Sequence, residues 1–185
     1  MNAPWATVPN ATGKRVENDF YPTPPECLYA LMPRIPDFPW DVWEPACGDG
    51  SLAKVLRDCD FEVVATDLFN RGCDGALDGM DFLKFTRSLA PAIITNPPYG
   101  KDMAEAFIRQ SFSLGVEYVA LLLKANFWHA RRGGLFEEHP PSRIHPLTWR
   151  PDFTRKGAPF LDVAWNVWRP GCSEARVVRL KRPES

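Results

Sequence analysis

The sequence is short of the features that mark several protein classes. No apolar run approaches the ~20 residues that cross a bilayer. The opening stretch, MNAPWATVPNATGKRVEND, has no apolar core of a secretory signal. Cysteine is scarce: Cys27, Cys47, Cys59, Cys73 and Cys172 form no CxxC pair and are odd in number. That disfavours a disulfide framework and leads us to expect a reduced, cytoplasmic chain. The three histidines have no metal-ligand spacing with one another or with the cysteines, so no metal is expected. Internal repeats and low-complexity linkers are absent. The glycine turn at 48–50 lacks the third glycine of the dinucleotide fingerprint and the lysine of a Walker loop, which argues against NAD and nucleoside triphosphates.

What is present is 185 residues, enough for one domain with a real core, unusually rich in proline (19) and tryptophan (7). The net charge of −1 hides an asymmetry. Residues 1–123 carry 10 Lys+Arg against 17 Asp+Glu, and residues 124–185 carry 12 against 6. Such a basic tail fits a solvated surface, and it also fits a face turned toward a polyanion.

Residues 1–18 read as a flexible polar segment. After it, PECLYALMPRI reads as a short helix with Pro25 in its first turn. DVWEPACG is a strand running into a glycine turn, and SLAKVLRDC a helix with Ser51 as its cap. FEVVATDL, PAIITN and EYVALLLKA are buried strands, and MAEAFIRQSFSLG is a helix closed by Gly115. Strands alternating with helices predict an α/β domain with a mostly parallel, doubly wound sheet. The late runs LDVAWNVWR and ARVVRLK have no helix between them, which predicts an antiparallel hairpin at one edge. Connections at 126–142 and 150–160 read as long and irregular, a hint of function.

Two constellations carry chemistry. In EPACGDGSLA an acid ends a strand, Gly48 and Gly50 allow a tight turn, and a helix follows. Glu44 and Asp49 make this turn a poor cradle for phosphate and a good one for a cation. Asp67 ends the next strand, where a carboxylate can take both hydroxyls of a ribose. Asp81 and Phe82 offer an acceptor and an apolar face to an adenine ring. Ribose, adenine, no phosphate and a cationic group together describe S-adenosylmethionine. The second constellation is Asn96-Pro97-Pro98-Tyr99, directly behind the apolar run AIIT. The Asn96 amide oxygen and the Pro97 carbonyl are two acceptors fixed by a proline turn. They can hold both hydrogens of an exocyclic amine and make its nitrogen more nucleophilic. Tyr99 can stack on a planar base. The same tetrad also fits a plain structural turn.

NPPY downstream of EPACGDG, with DFYPTPPE upstream, resembles the amino-methyltransferases, particularly the DNA adenine-N6 methyltransferases. LFEEHPPSRI, RPDF and AWNVW extend the resemblance to the small phage- and prophage-type enzymes, over roughly residues 19–171. The resemblance implies a class I S-adenosylmethionine-dependent methyltransferase fold with a seven-stranded, Rossmann-like sheet. It implies that Asn96, Pro97, Pro98 and Tyr99 hold a flipped adenine. It assigns the cofactor to Tyr21, Thr23, Glu44, Cys47, Gly48, Gly50, Asp67, Asp81 and Phe82, with Asn96 shared between the two ligands. It also implies a cytoplasmic setting in a bacterial or phage-infected host cell. The motif order excludes the permuted class, and the short spacings leave no room for a separate target-recognition domain within 19–185. Arg131 and Arg132, and Arg155 and Lys156, stand in the long connections as candidate phosphate contacts with DNA. Asn126, His129 and Trp149 stand beside them for base edges or stacking. RNA adenine, or a glutamine amide in a protein, remains an alternative acceptor. A catalytically idle protein that binds cofactor and nucleic acid is the reading from a different class.

Overall fold

The computed structural model describes residues 21–100, 102–129, 132–157, 159–171 and 175–183. The expected flexible segment, Arg131 and Cys172 lie outside them.

Seven strands form one sheet: β1 (Asp41–Glu44), β2 (Glu62–Ala65), β3 (Ala92–Thr95), β4 (Tyr118–Lys124), β5 (Arg143–Pro146), β6 (Val163–Trp168) and β7 (Arg176–Val177). Their order is β2-β1-β3-β4-β6-β5-β7. Among the described residues four α-helices accompany them: α1 (Pro25–Leu31), α2 (Ser51–Asp58), α3 (Met103–Ser113) and α4 (Gly133–Glu138).

The central strands are largely apolar because both faces of the sheet are covered there. Alternate residues of these strands feed two separate cores. Val42, Ile94, Leu122 and Trp165 join Leu28, Leu31, Leu52 and Leu56 of α1 and α2. Trp43, Ile93, Leu121 and Leu123 join Phe107 and Ile108 of α3 on the other face. Each fully buried Leu or Ile contributes about 1.5–3 kcal/mol. The Trp165 indole adds a tie across 138 residues, donating to the Cys27 carbonyl at 2.7 Å.

The parallel doubly wound sheet and its seven strands are as expected, but the antiparallel pairing is arranged differently. β6 is the one strand running against its neighbours, and it lies inside the sheet between β4 and β5. Its hairpin partner is β5, not β7, and β7 pairs parallel with β5 at the edge. The reason is burial. All six residues of β6 are buried, whereas both residues of β7 are exposed, so the apolar strand goes inside and the short polar one to the rim. The connection at 126–142 also differs from the irregular loop expected, because α4 lies within it. The N-cap of α2 is Gly50 rather than Ser51. Asp49 accepts the Ser51 N–H at 3.1 Å and its hydroxyl at 2.6 Å instead.

Among the described residues no helix is long and apolar enough to cross a membrane, and no cluster of side chains suits a metal ion.

Candidate cofactor and acceptor cleft

In the strand order, β1 has β2 on one side and β3 on the other. The chain winds one way from β1 to β2 and the other way to β3, so the sheet opens a crevice at their carboxyl ends. The segments that follow these three strands line it.

The floor is the turn after β1. Gly48 (φ +57) and Gly50 (φ +81) both sit in the left-handed region. A Cβ on Gly50 would lie 2.8 Å from the Cys73 Sγ and 3.2 Å from its Cβ, so the turn closes against 73 only with glycine there. The Gly48 N–H donates to Asp67 Oδ2 at 2.8 Å, and the Phe69 N–H donates to Asp67 Oδ1 at the same distance. Two backbone donors thus aim this carboxylate while leaving lone pairs for a ligand. Asp81 accepts the Leu83 N–H at 3.1 Å, and Phe82 is buried between Trp43 and Phe107.

Glu44 is 1% exposed, and its Oε2 has no hydrogen-bond partner. Burial, and then the like charge of Asp67, push its pKa well above the usual carboxylate range. Arg57 and a backbone hydrogen bond from Ala53 work the other way, and Asp49 adds to the rise. Burial likewise raises the Cys47 thiol, which therefore stays neutral.

Behind β3 the proline pair stops the ladder and turns the chain into the cleft. The Asn96 Nδ2 donates to Thr23 Oγ1 at 2.9 Å. The Asn96 Oδ1 is buried and has no partner. The Tyr99 hydroxyl donates to the Leu122 carbonyl at 3.4 Å, and the ring is 9% exposed. Tyr21 stacks on it with centroids 6.5 Å apart, Lys124 lies 5.5 Å from its centroid, and Phe153 and Phe160 meet Tyr21 edge-on. Tyr99 is thus already one wall of an aromatic cluster.

One cleft brings together Tyr21, Thr23, Glu44, Cys47, Gly48, Asp67, Asp81, Phe82, Asn96, Pro97, Pro98 and Tyr99. Gly50 lies beneath it as the helix cap.

The basic loops fit their expected role less well. Arg155, at φ +56, reaches across to Asp49 Oδ2 (2.9 Å) and Ser51 Oγ (3.1 Å). Arg132 lies over the Phe127 ring at 4.5 Å and 3.8 Å from Asp102. Both arginines therefore already have protein partners, and a phosphate would have to compete for them. Lys156 is exposed, as are Asn126 and His129. Trp149 is turned inward against the core rather than offered to a base.

No family model and no curated protein matches the chain. Solved structures do. A Pyrococcus horikoshii protein proposed to be an RNA methyltransferase superposes over 90% of this chain and 93% of its own, with TM-score 0.67 and 17% identity. A Listeria monocytogenes protein proposed to be a class I S-adenosylmethionine-dependent methyltransferase covers 91% of this chain and 68% of its own, with TM-score 0.61 and 14% identity. The 23S rRNA methyltransferase ErmE covers 78% and 68%, with TM-score 0.51 and 17% identity. The fold is that of the class I S-adenosylmethionine-dependent methyltransferases.

In this methyltransferase fold the cleft has walls that the motifs did not announce. Arg71 is one: it lies 4.0 Å from Asp67 Oδ1 and 5.2 Å from the Phe69 ring centroid, beside the expected ribose position. Its signal in the sequence is only an arginine four residues past an acid, in a loop. Met80, Met103 and Phe107 add apolar wall from segments with no motif.

Proposed function

We propose that the chain is an S-adenosylmethionine-dependent methyltransferase acting on the exocyclic N6 of adenine in DNA. The observation that carries this reading is a pair of orphaned acceptors in one cleft, Glu44 Oε2 and Asn96 Oδ1. A buried acceptor left unpartnered costs about 1–3 kcal/mol, so two in one crevice point to ligands that supply the donors. The donors they want differ. Glu44, an acid short of a counter-charge, suits an ammonium. Asn96, a neutral amide, suits a neutral amine.

These residues fit S-adenosylmethionine. Glu44 faces its amino-acid end, Asp67 takes the ribose hydroxyls, and Asp81 with Phe82 takes the adenine. When bound, the cofactor supplies an electrophilic methyl group on sulfur. The chain supplies the rest. Asn96 Oδ1 and the Pro97 carbonyl accept the two amine hydrogens and hold the nitrogen lone pair out of conjugation. The prolines keep that geometry ready before the acceptor arrives. The aromatic cluster around Tyr21 and Tyr99 takes the face of a flipped base. No histidine lines the cleft among the described residues, and none is needed, because the amine loses its proton to solvent once it is alkylated. Exposed Lys156 is the phosphate contact, since Arg132 and Arg155 are engaged by Phe127, Asp102 and Asp49.

RNA adenine is the second reading, favoured by the RNA methyltransferases among the similar structures. Incubation with radiolabelled S-adenosylmethionine and separate DNA, RNA and protein pools tests both. N6-methyladenine in digested DNA supports the proposal, label in RNA moves it to the second reading, and label in none of the pools rejects it.

Asp67→Ala is expected to weaken cofactor binding at least about tenfold by calorimetry, since charge-assisted hydrogen bonds are worth roughly 1.5–3 kcal/mol. Asp67→Asn separates ribose binding from support of the turn. An unchanged affinity in both variants would place the ribose elsewhere.

A further inference from the structure

We infer that Thr23 is a positioning residue for the acceptor amide, a role distinct from the cofactor contact that its motif implies; the inference rests on the methyl-transfer reading above. An amide side chain has nearly the same shape after a half-turn, with NH2 in place of oxygen. Only the oxygen can accept from an exocyclic amine, and the flipped amide would set donor against donor. The orientation of Asn96 therefore decides whether the cleft attracts its acceptor or repels it.

With Oδ1 turned to the amine, Nδ2 points into protein and its hydrogens need an acceptor. Thr23 Oγ1 is that acceptor, 2.9 Å away and 73 residues distant in sequence. Thr23 is 5% exposed, so water is a poor substitute. Removing the hydroxyl would leave the inner end of the amide, N–H or C=O, buried without a partner in either orientation, and the side chain would lose the anchor that holds Oδ1 toward the amine.

The local sequence explains why this hydroxyl holds its place. Thr23 stands between Pro22 and Pro24, with Pro25 opening α1. Proline fixes its own φ and restricts the residue before it. A β-branched side chain is stiff at χ1. The YPTPP stretch is thus a rigid bracket that brings one hydroxyl against the end of β3.

The test compares Thr23→Val, which keeps shape and loses the hydroxyl, with Thr23→Ser, which keeps it; Thr23→Ala replaces the valine variant should that fail to fold. Three quantities are read: cofactor Kd by calorimetry, single-turnover methyl transfer at saturating cofactor, and the side-chain amide 15N–1H signals of Asn96, identified by their loss in Asn96→Ala. For Thr23→Val we expect a Kd within about twofold, a rate lower by about 10–100-fold, and shifted, faster-exchanging Asn96 amide signals. Thr23→Ser recovers most of the rate. Weakened cofactor binding with an unchanged saturated rate would overturn the inference, leaving Thr23 a cofactor contact alone. Unchanged Asn96 signals would overturn it too. Should the parent protein methylate nothing, the methyl-transfer reading fails by itself, and the amide signals still decide whether Thr23 orients Asn96.

Discussion

An Asn96→Ala variant is expected to bind cofactor as the parent protein does and to transfer methyl groups at least about a hundredfold more slowly. Loss of one preorganised polar group at a reacting centre typically costs that much in rate. The geometry says why the loss falls on transfer. Asn96 Oδ1 is buried, unpartnered and backed by Thr23, whereas the acids at the cofactor end stand elsewhere, Glu44 at the end of β1 and Asp67 just past β2. Alanine removes the acceptor and leaves the glycine turn and the Asp67 carboxylate untouched. Calorimetry with cofactor alone, beside single-turnover assays, separates the two effects. A matching loss of cofactor affinity would place Asn96 on the cofactor as well, and retained activity on every nucleic acid would remove it from the chemistry.

Glu44→Gln is expected to stabilise the free protein at neutral pH and to weaken cofactor binding by about tenfold or more. The folded-state pKa of Glu44 is raised by burial and by Asp67. The folded protein therefore holds this proton more tightly than the unfolded chain does. The stability that comes with it is full below the ordinary carboxylate range and is lost as pH rises through the raised value. Glutamine carries no charge and escapes the loss. Each kcal/mol recovered is worth about 2–4 °C of Tm for a domain of 150–250 residues. Cofactor binding reverses the balance. A cation beside Glu44 favours the carboxylate, so binding expels the proton, and affinity rises with pH until Glu44 ionises in the free protein. Calorimetry in buffers of different ionisation enthalpy would detect proton release in the parent and none in the variant. Equal proton release in both would assign the linkage to another group, and a variant Tm below the parent's would mean that Glu44 is paired in the folded state.

The parts of the fold that were legible in the sequence are those where burial is nearly complete. AIIT and YVALLLK sit under both cores and read as strands because nearly all their side chains are apolar and buried. The position of β7 was illegible, because an exposed two-residue strand is held by backbone pairing, to which its side chains contribute little. In the cleft, the acids and glycines beside β1 and β2 were legible because a turn at a strand end needs particular residue types. The Thr23–Asn96 bond and the reach of Arg155 to Asp49 were not. They join residues 73 and 106 apart, and local patterns say nothing of such meetings. Arg155 shows the limit well. A basic residue in a loop reads as a phosphate contact until tertiary structure supplies a nearer acid.

The inner place of β6 has a consequence in time. β4 ends at Lys124, and the strand that covers its open edge begins at Val163. Until that later stretch arrives, a seven-residue apolar strand stands with one side unpaired, the situation that invites wrong partners. The sheet therefore cannot complete itself in the order in which its strands occur along the chain; its second half closes as one slow, non-local step. Pulse-labelled hydrogen exchange during refolding is expected to find the amides of β4 and β6 protected in the same phase, and protection of β4 well before β6 would contradict this. No residue of β6 lines the cleft, yet the strand that never meets a ligand fixes the moment at which there is a finished site to meet one.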